Sequence, residues 1–276
     1  MCNKINILAL KNDFWLSYWD TIVVKVGSNI LAWNNNWVNL DNMKNIIDWI
    51  DYLIGIWLNV ILVSSWAVAV WKNVLKEKWK FIEKENYSLT EKASFASIWQ
   101  IKLLNFYSNL VEDKKNIIEV SQELVNHKTF ENLESKENFL AVLNQNISFW
   151  VLNIINENDT VSREELKFSD NDELAWLVAK ATKAKVLVLL SNIDWIYKNY
   201  WKENQELIEE VRSIKEVRKY CEDSTSSYWT WWMTSKLNVM EKMINFWIIW
   251  ILANWWKKNI LQKIFTWEEC RKTVFR

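Results

Sequence analysis

The chain has 276 residues, 50% of them hydrophobic, and its 34 basic and 34 acidic side chains give a formal net charge of zero. This length suffices for one large domain or two small ones, and the balanced charge excludes a global field that would recruit nucleic acid or an anionic membrane. No apolar run reaches the roughly 18 residues of a membrane span. Cys2, Cys221 and Cys270 lack metal-ligand or disulfide spacing. We therefore expect a soluble protein of the reducing cytoplasm, without a signal peptide.

Buried-strand runs alternate with helical patterns along the chain. The predicted strands lie at 21–26, 59–63, 117–125, 149–155 and 185–190, and the predicted helices at 41–58, 92–110, 131–146, 173–182 and 237–246. Such alternation predicts an α/β protein whose mainly parallel sheet is covered by helices on both faces, with right-handed crossovers. We expect one domain over residues 21–276, after an N-terminal extension at residues 1–20.

Polar clusters occur where predicted strands end. Lys25 closes the first strand, Asn156 to Asp159 follow the fourth, and Asp170 and Asp172 precede a helix. Each has an ordinary alternative: a solvated lysine, a turn, or an aspartate that caps the next helix. Open α/β sheets bind ligands at the carboxyl ends of their strands. Because several clusters fall at this edge, we favour a ligand site there.

Tryptophan is far too common and glycine far too rare. The chain has 22 Trp, 2 Gly and no Pro, whereas ordinary proteins carry about 7% Gly and about 5% Pro. Abundant Lys, Asn and Ile with few Arg suggest AT-rich coding. We hypothesise that many of these Trp are glycines, written as Trp because a codon such as UGA was translated with the wrong table. The alternative is a genuinely Trp-rich chain with an aromatic binding surface.

The stretch Tyr228 to Lys236 shows what this hypothesis changes. As written it reads Tyr-Trp-Thr-Trp-Trp-Met-Thr-Ser-Lys, directly before the predicted helix at 237–246. With Gly for Trp it reads as an anion-binding nest followed by a helix N-terminus, where backbone N–H groups and the helix dipole hold phosphate. The lysine would neutralise part of the phosphate charge.

Six segments, in this order, together resemble the glutamate 5-kinase family of amino-acid kinases. They are Val23–Ser28, Val63–Ala67, Ala96–Gln100, Ile155–Asp159, Asp170–Asp172 and Trp229–Lys236. Trp stands at family Gly positions in and around them, including 66, 71, 99, 195, 229, 231 and 232. The resemblance extends from about Thr21 to about Phe265. The order and spacing of the six segments distinguish this family from its carbamate kinase, acetylglutamate kinase and aspartokinase relatives.

The resemblance implies the amino-acid kinase fold, a three-layer α/β/α sandwich. It also implies transfer of the ATP γ-phosphoryl group to the side-chain carboxylate of L-glutamate, the first step toward proline. Mg²⁺ would bridge the ATP phosphates, without a metal site built from protein side chains. We expect a homo-oligomer.

The same resemblance assigns roles to individual residues. Lys25 and Lys236 would flank the transferring group as catalytic lysines, with Asp172 orienting them. The glutamate-binding positions are Ser65, Asp159 and Asn171. The ATP-binding positions are Lys25, Ser191, Asn192, Thr230, Trp231, Trp232, Met233, Thr234, Ser235 and Lys236.

At three positions the sequence departs from the family pattern in a way that Trp in place of Gly does not explain. Ser169 replaces a usual Gly, Asn192 a usual Asp, and Asn153 a common Pro. The C-terminal PUA domain of many relatives is not expected in this chain, which leaves oligomer architecture and proline feedback open. The remaining alternatives are a sister kinase acting on acetylglutamate, aspartate or carbamate, and a catalytically inactive ligand-binding protein if the Trp residues are real.

Overall fold

The structure is a computed structural model, and it describes residues 14–27, 40–64, 87–161, 171–191, 197–198, 206–215, 217–218, 241, 246–255, 259–266 and 270–275. Within these ranges the strands are β1 Thr21–Val26, β2 Asn59–Ser64, β3 Glu119–Val125, β4 Val151–Glu157, β5 Val186–Ser191, β6 Tyr197–Lys198, β7 Glu206–Leu207, β8 Glu210–Val211, β9 Ile249–Asn254 and β10 Lys272–Phe275. The helices are α1 Leu40–Gly55, α2 Leu89–Val111, α3 His127–Glu131, α4 Leu133–Ser148, α5 Asp172–Ala181 and α6 Ile260–Phe265. Most of the helix predicted at 237–246 lies outside the described residues.

Eight strands form one sheet in the order β3-β4-β2-β1-β5-β9-β10-β8. The six strands from β3 to β9 in that order run parallel, and β10 pairs antiparallel with β9. Strands β6 and β7 form a separate antiparallel pair. The mainly parallel sheet predicted from the sequence is thus confirmed.

Helices cover both faces of the sheet. The apolar residues of α1, α2 and α6 pack on one face, and those of α4 and α5 pack on the other. Side chains of β1 alternate between the two cores, with Val24 in the first and Val23 in the second. Lys25 therefore points to the same side as Val23, toward α5. The predicted three-layer α/β/α sandwich is confirmed.

Two predicted boundaries are wrong for identifiable reasons. The helix predicted at 131–146 is α4, which begins only at Leu133, because Asn132 is extended (φ −83°, ψ 123°) and its side chain caps α4 by accepting from Ser135 N–H; the short helix α3 before it was not predicted. The strand predicted at 149–155 continues through Glu157, so Asn156 and Glu157 belong to β4 rather than to a turn. The turn begins only at Asn158, whose carbonyl accepts from Val161 N–H at 3.1 Å.

Asn153, one of the departures from the family pattern, lies in a polar cluster between β3, β4 and α4. It is fully buried, and its Oδ1 accepts from Ser121 Oγ at 3.1 Å and from Asn146 Nδ2 at 2.9 Å. Glu123 Oε1 accepts from the same two groups, each at 2.9 Å. Its Oε2 is buried with no hydrogen-bond partner among the described residues. Burial raises the pKa of Glu123, and the bonds from Ser121 and Asn146 offset part of that rise.

Trp residues occupy backbone conformations that favour glycine. Seven described residues other than Gly have positive φ, and five of them are Trp: Trp15 (45°), Trp19 (70°), Trp57 (70°), Trp150 (61°) and Trp247 (59°). The left-handed region costs an L-residue roughly 1–2 kcal/mol, and a bulky side chain there is a genuine outlier. A further anomaly is Trp250, whose indole N–H is buried with no hydrogen-bond partner in the described part of the chain.

The hydrogen bonds around Trp57 identify the kind of position that it occupies. After α1, Trp57 N–H donates to Ile54 O at 2.9 Å and Leu58 N–H donates to Leu53 O at 3.1 Å. This is the Schellman motif, whose left-handed C′ residue is usually glycine. Trp150 follows α4 with the same short bond, from its N–H to Ile147 O at 3.0 Å. These geometries agree with the hypothesis that glycine is the native residue at such positions.

The side chain of Glu123 is expected to make stability fall as pH rises. The folded protein holds the carboxyl proton of Glu123 more tightly than the unfolded chain does. The stabilisation that this proton contributes to the folded state is therefore fully present below the pKa of glutamate in the unfolded chain, about 4.3. It is lost as pH rises through the raised folded pKa. We expect Glu123→Gln to increase the free energy of unfolding by about 1–2 kcal/mol at pH 8 and by less at pH 4, as measured by urea denaturation. The exposed Glu137→Gln on α4 serves as control; an equal effect of Glu123→Gln at both pH values would contradict the prediction.

Trp247 allows the glycine preference to be measured without loss of packing, because its side chain is 92% exposed. In protein made from the sequence as written, we expect Trp247→Gly to raise the free energy of unfolding by about 1 kcal/mol. Trp247→Ala should change it little, because alanine meets the same left-handed penalty. Chemical denaturation of the two variants distinguishes these outcomes, and equal stabilisation by both would remove the conformational explanation.

Protein purified from its own source organism is expected to have an intact mass below the 33.3 kDa of the sequence as written. The reason is that glycine lacks the indole side chain. Intact-mass spectrometry with peptide sequencing across Trp57 and Trp150 provides the measurement. A mass of 33.3 kDa would establish that the Trp residues are genuine.

Candidate active site

Lys25 and Asp172 form a buried ion pair at the carboxyl edge of the sheet. Lys25 is the penultimate residue of β1, between Val63 of β2 and Leu189 of β5. Asp172 is the first residue of α5. Lys25 Nζ lies 2.6 Å from Asp172 Oδ1, and the two residues are 6% and 1% exposed. The alternative of a solvated lysine at the strand end is therefore wrong.

This pair is a costly arrangement that stability alone does not explain. Removing a carboxylate and an ammonium from water costs several kcal/mol per ion, and apolar replacements of such pairs are often as stable. The pair fixes the direction of the Lys25 side chain. Asp172 also lies in the first turn of α5, where the helix dipole favours negative charge. A fixed cation at a strand end is suited to binding an anionic group.

Asn171 ties the start of α5 to the ends of two strands. Its Nδ2 donates to the carbonyl oxygen of Ser64 in β2 at 2.9 Å and to Oδ1 of Asn156 in β4 at 3.1 Å. It is the N-cap residue of α5, but its side chain caps no helical N–H. The structure thus assigns the N-cap to Asn171, and Asp172 bonds Lys25 instead of serving as a cap.

Tyr107 of α2 contacts the carboxyl end of β2 at Ser64. Its hydroxyl lies 3.3 Å from Ser64 Oγ, and burial raises its pKa to about 12 although the bond to Ser64 opposes the rise. The neutral hydroxyl therefore holds Ser64 across the ordinary pH range. No role was predicted for Tyr107 from the sequence. The signal that could have found it is Gln100, a polar residue on the buried stripe of α2 that also contains Leu103 and Tyr107.

The other predicted site residues divide into two groups. Asp159 is half-buried in the turn after β4, and Ser191 ends β5, where its carbonyl accepts from Trp255 N–H at 3.2 Å. Ser191 is the last residue of one parallel strand and Asp159 follows another, so both lie at the same edge as Lys25. The remainder lie outside the described residues: Ser65, Asn192, Thr230, Trp231, Trp232, Met233, Thr234, Ser235 and Lys236, together with the departure Ser169 and the candidate cap Asp170.

Gly27 lies beside the Lys25 ammonium. A Cβ at Gly27 would lie 3.7 Å from Lys25 Nζ and 3.9 Å from Leu190 O. In the described ranges, no group of three or more His, Cys, Asp or Glu side chains could hold a metal ion. The Lys25 ammonium is the group at this edge that suits an anion. Among the helices that the structure describes, none combines the length and apolar character needed to cross a bilayer.

Comparisons with known proteins agree with this geometry. The glutamate 5-kinases of Bacteroides thetaiotaomicron and Alkaliphilus metalliredigens are 33% and 32% identical to the chain over 244 and 258 residues. The alignments cover 87% and 92% of this chain; they span 65% of the Bacteroides relative, less than two thirds of its length, and 95% of the Alkaliphilus relative. The crystal structure of UMP kinase from Ureaplasma parvum superposes with a TM-score of 0.57 at 14% identity. That match covers 93% of this chain and 96% of the other, and it shows a shared fold.

The resemblance found in the sequence motifs is thereby confirmed at the level of the family. The model of the amino acid kinase family matches residues 20–243, which is most of the chain and includes the edge formed by Lys25, Asn171 and Asp172. The chain belongs to the amino acid kinase family.

Proposed function

We propose that the chain transfers the γ-phosphoryl group of ATP to the side-chain carboxylate of L-glutamate, giving ADP and L-glutamyl 5-phosphate for proline synthesis. The observation that carries this proposal is the buried ion pair of Lys25 and Asp172 at the carboxyl edge of β1. The names of the curated relatives support glutamate as the acceptor. The proposal further treats residues 21–276 as one kinase domain of a cytoplasmic homo-oligomer.

In this reaction a carboxylate oxygen of glutamate forms a bond to the γ-phosphorus. The bond from that phosphorus to the oxygen shared with the β-phosphate breaks, and its electron pair leaves on ADP. Because both reactants are anions, catalysis consists mainly of positioning them and neutralising charge on the transferring oxygens. Lys25, held by Asp172, provides one fixed positive charge, and we assign Lys236 as the second.

The two substrates are assigned to different parts of the edge. Asn171, Ser65 and Asp159 would contact glutamate. Ser191, Asn192 and the segment 230–236 would contact ATP, with glycine at 229, 231 and 232 letting backbone N–H groups approach the phosphates. Mg²⁺ would be held by phosphate oxygens and water, and would neutralise part of their charge.

An aromatic binding surface is the second candidate, favoured by one observation. The rings of Trp19, Trp57 and Trp150 meet edge to face, with centroids 5.1 Å and 5.3 Å apart in successive pairs. All three residues have positive φ, however. The backbone that would present this surface therefore disfavours the residues that form it, and we prefer the kinase.

The proposal is tested by ADP release with L-glutamate, L-aspartate, N-acetyl-L-glutamate and carbamate as acceptors. The protein should carry glycine at 66, 71, 99, 195, 229, 231 and 232, since Trp at 231 and 232 would obstruct the phosphate site. We expect turnover with L-glutamate and little with the other acceptors. Preference for another acceptor would identify a sister kinase, and ATP binding without turnover on any acceptor would indicate an inactive ligand-binding protein.

Substitutions of the ion pair test the assigned mechanism in the same protein. Lys25→Met and Asp172→Asn should each lower kcat at least about 100-fold, because a preorganised charge at the transferring group is removed or released. Lys114→Met is the matched control. Lys114 Nζ forms an ion pair with Asp48 Oδ1 at a distance of 2.5 Å, and this pair does not lie at the carboxyl edge. Unchanged turnover in Asp172→Asn would show that the site is assigned wrongly.

A further inference from the structure

A chain of four side-chain amides joins two strands and two helices, and it ends at Asn171, the residue before Asp172. Gln122 Nε2 of β3 donates to Gln100 Oε1 of α2 at 2.8 Å, and Asn156 Nδ2 of β4 donates to the same oxygen at 3.1 Å. Asn156 Oδ1 accepts from Asn171 Nδ2 at 3.1 Å. Gln100, Asn156 and Asn171 are each less than 9% exposed. We call these four residues the amide chain.

Two backbone groups determine the directions in which the amides of Asn156 and Asn171 point. Glu157 N–H donates to Asn156 Oδ1 at 2.9 Å, so the oxygen of Asn156 must face that N–H. The Ser64 carbonyl accepts from Asn171 Nδ2 at 2.9 Å, so the nitrogen of Asn171 must face Ser64. Flipping either amide would bring two donors or two acceptors together. Both N–H groups of Asn171 are thus committed, and its side-chain oxygen takes part in no hydrogen bond given by the described residues.

Gln100 accepts two hydrogen bonds in the amide chain, but its own side-chain nitrogen is left without an acceptor among the described residues. Its Oε1 accepts from Gln122 and Asn156, while its Nε2 is buried without a hydrogen-bond partner among the described residues. An unsatisfied buried donor is unfavourable. Flipping Gln100 would satisfy no more groups, because its nitrogen would then face the nitrogen of Asn156. The orientation of Gln100 therefore follows from its contact with Asn156.

We propose that Gln100 is a positioning residue that acts through Asn156 to hold the Asn171 oxygen toward the acceptor site. An amide oxygen fixed in this way accepts hydrogen bonds and cannot donate them. It therefore selects an acceptor that donates, which for an amino acid is its protonated α-ammonium group. This inference rests on the proposed function in one respect: Asn171 must contact the acceptor.

Substrate analogues without the ammonium group provide the direct test. Glutarate has no group at that position, and 2-oxoglutarate places an oxygen acceptor there. We expect the wild-type chain, in the glycine background used above, to prefer L-glutamate to both by kcat/KM. Turnover of 2-oxoglutarate as efficient as that of L-glutamate would overturn the inference while leaving the proposed function standing.

Variants of Gln100 test its positioning role. Gln100→Met keeps the side-chain length but removes the oxygen that Asn156 and Gln122 use. We expect it to raise the KM for L-glutamate roughly tenfold and to leave the KM for ATP within about twofold. The preference for L-glutamate over glutarate should fall by about the same factor. Gln100→Glu retains an acceptor oxygen in either protonation state and should restore both the KM and the preference.

Gln145→Met is the matched control, because Gln145 is an exposed glutamine on α4 whose side chain donates to Ser148 Oγ of the same helix at 2.9 Å. Equal loss of kcat/KM for L-glutamate and glutarate in Gln100→Met would indicate a general structural role and overturn the inference. Failure of Gln100→Glu to restore the preference would do the same.

Failure of the proposed function has a different signature. If the wild-type chain phosphorylates L-aspartate instead of L-glutamate, the proposed acceptor is wrong. The inference would then still be supported if Gln100→Met reduced the preference for L-aspartate over succinate.

Discussion

The carboxyl edge of the sheet depends on one interaction, the ion pair that joins the end of β1 to the start of α5. Lys25 crosses from the central strand to Asp172 because strand alternation directs its side chain to the face that α5 covers. Once α5 begins at Asp172, Asn171 is placed against Ser64 and Asn156. The charge and the amide groups of the site are therefore positioned together by one helix start.

The strands were the part of the fold most accessible from the sequence. Strands of a parallel sheet are buried on both faces, so β1 and β2 form continuous apolar runs with clear ends. The end of β4 was not accessible in this way, because Asn156 and Glu157 have the composition of a turn. The side chain of Asn156 bonds partners that are distant in the chain, Gln100 and Asn171. The start of α4 was predicted two residues early, because the N-cap role of Asn132 depends on a side-chain bond to Ser135 N–H.

The identities of the site residues could be predicted from the sequence, but their burial and their hydrogen-bond and ion-pair partners could not. Lys25, Asn171 and Asp172 followed from the motif resemblance, whereas a lysine at a strand end is most often solvated. Its burial depends on a carboxylate from a distant segment, which no local pattern contains. Tyr107 and Gln100 were missed as site residues because their helix carries mostly apolar side chains on the same face. Polar residues on a buried helical stripe are the sequence signal that identifies such supporting groups.

The left-handed residues after α1 and α4 have a consequence beyond this fold. Backbone conformation is dictated by the whole chain, so the sign of φ at a helix end can preserve the chemical identity of a residue that translation has assigned incorrectly. In this chain one bulky residue type has positive φ at five described positions, and two of these follow helices α1 and α4. Backbone geometry at helix ends is thus a source of evidence about the genetic code of an organism, separate from its tRNAs.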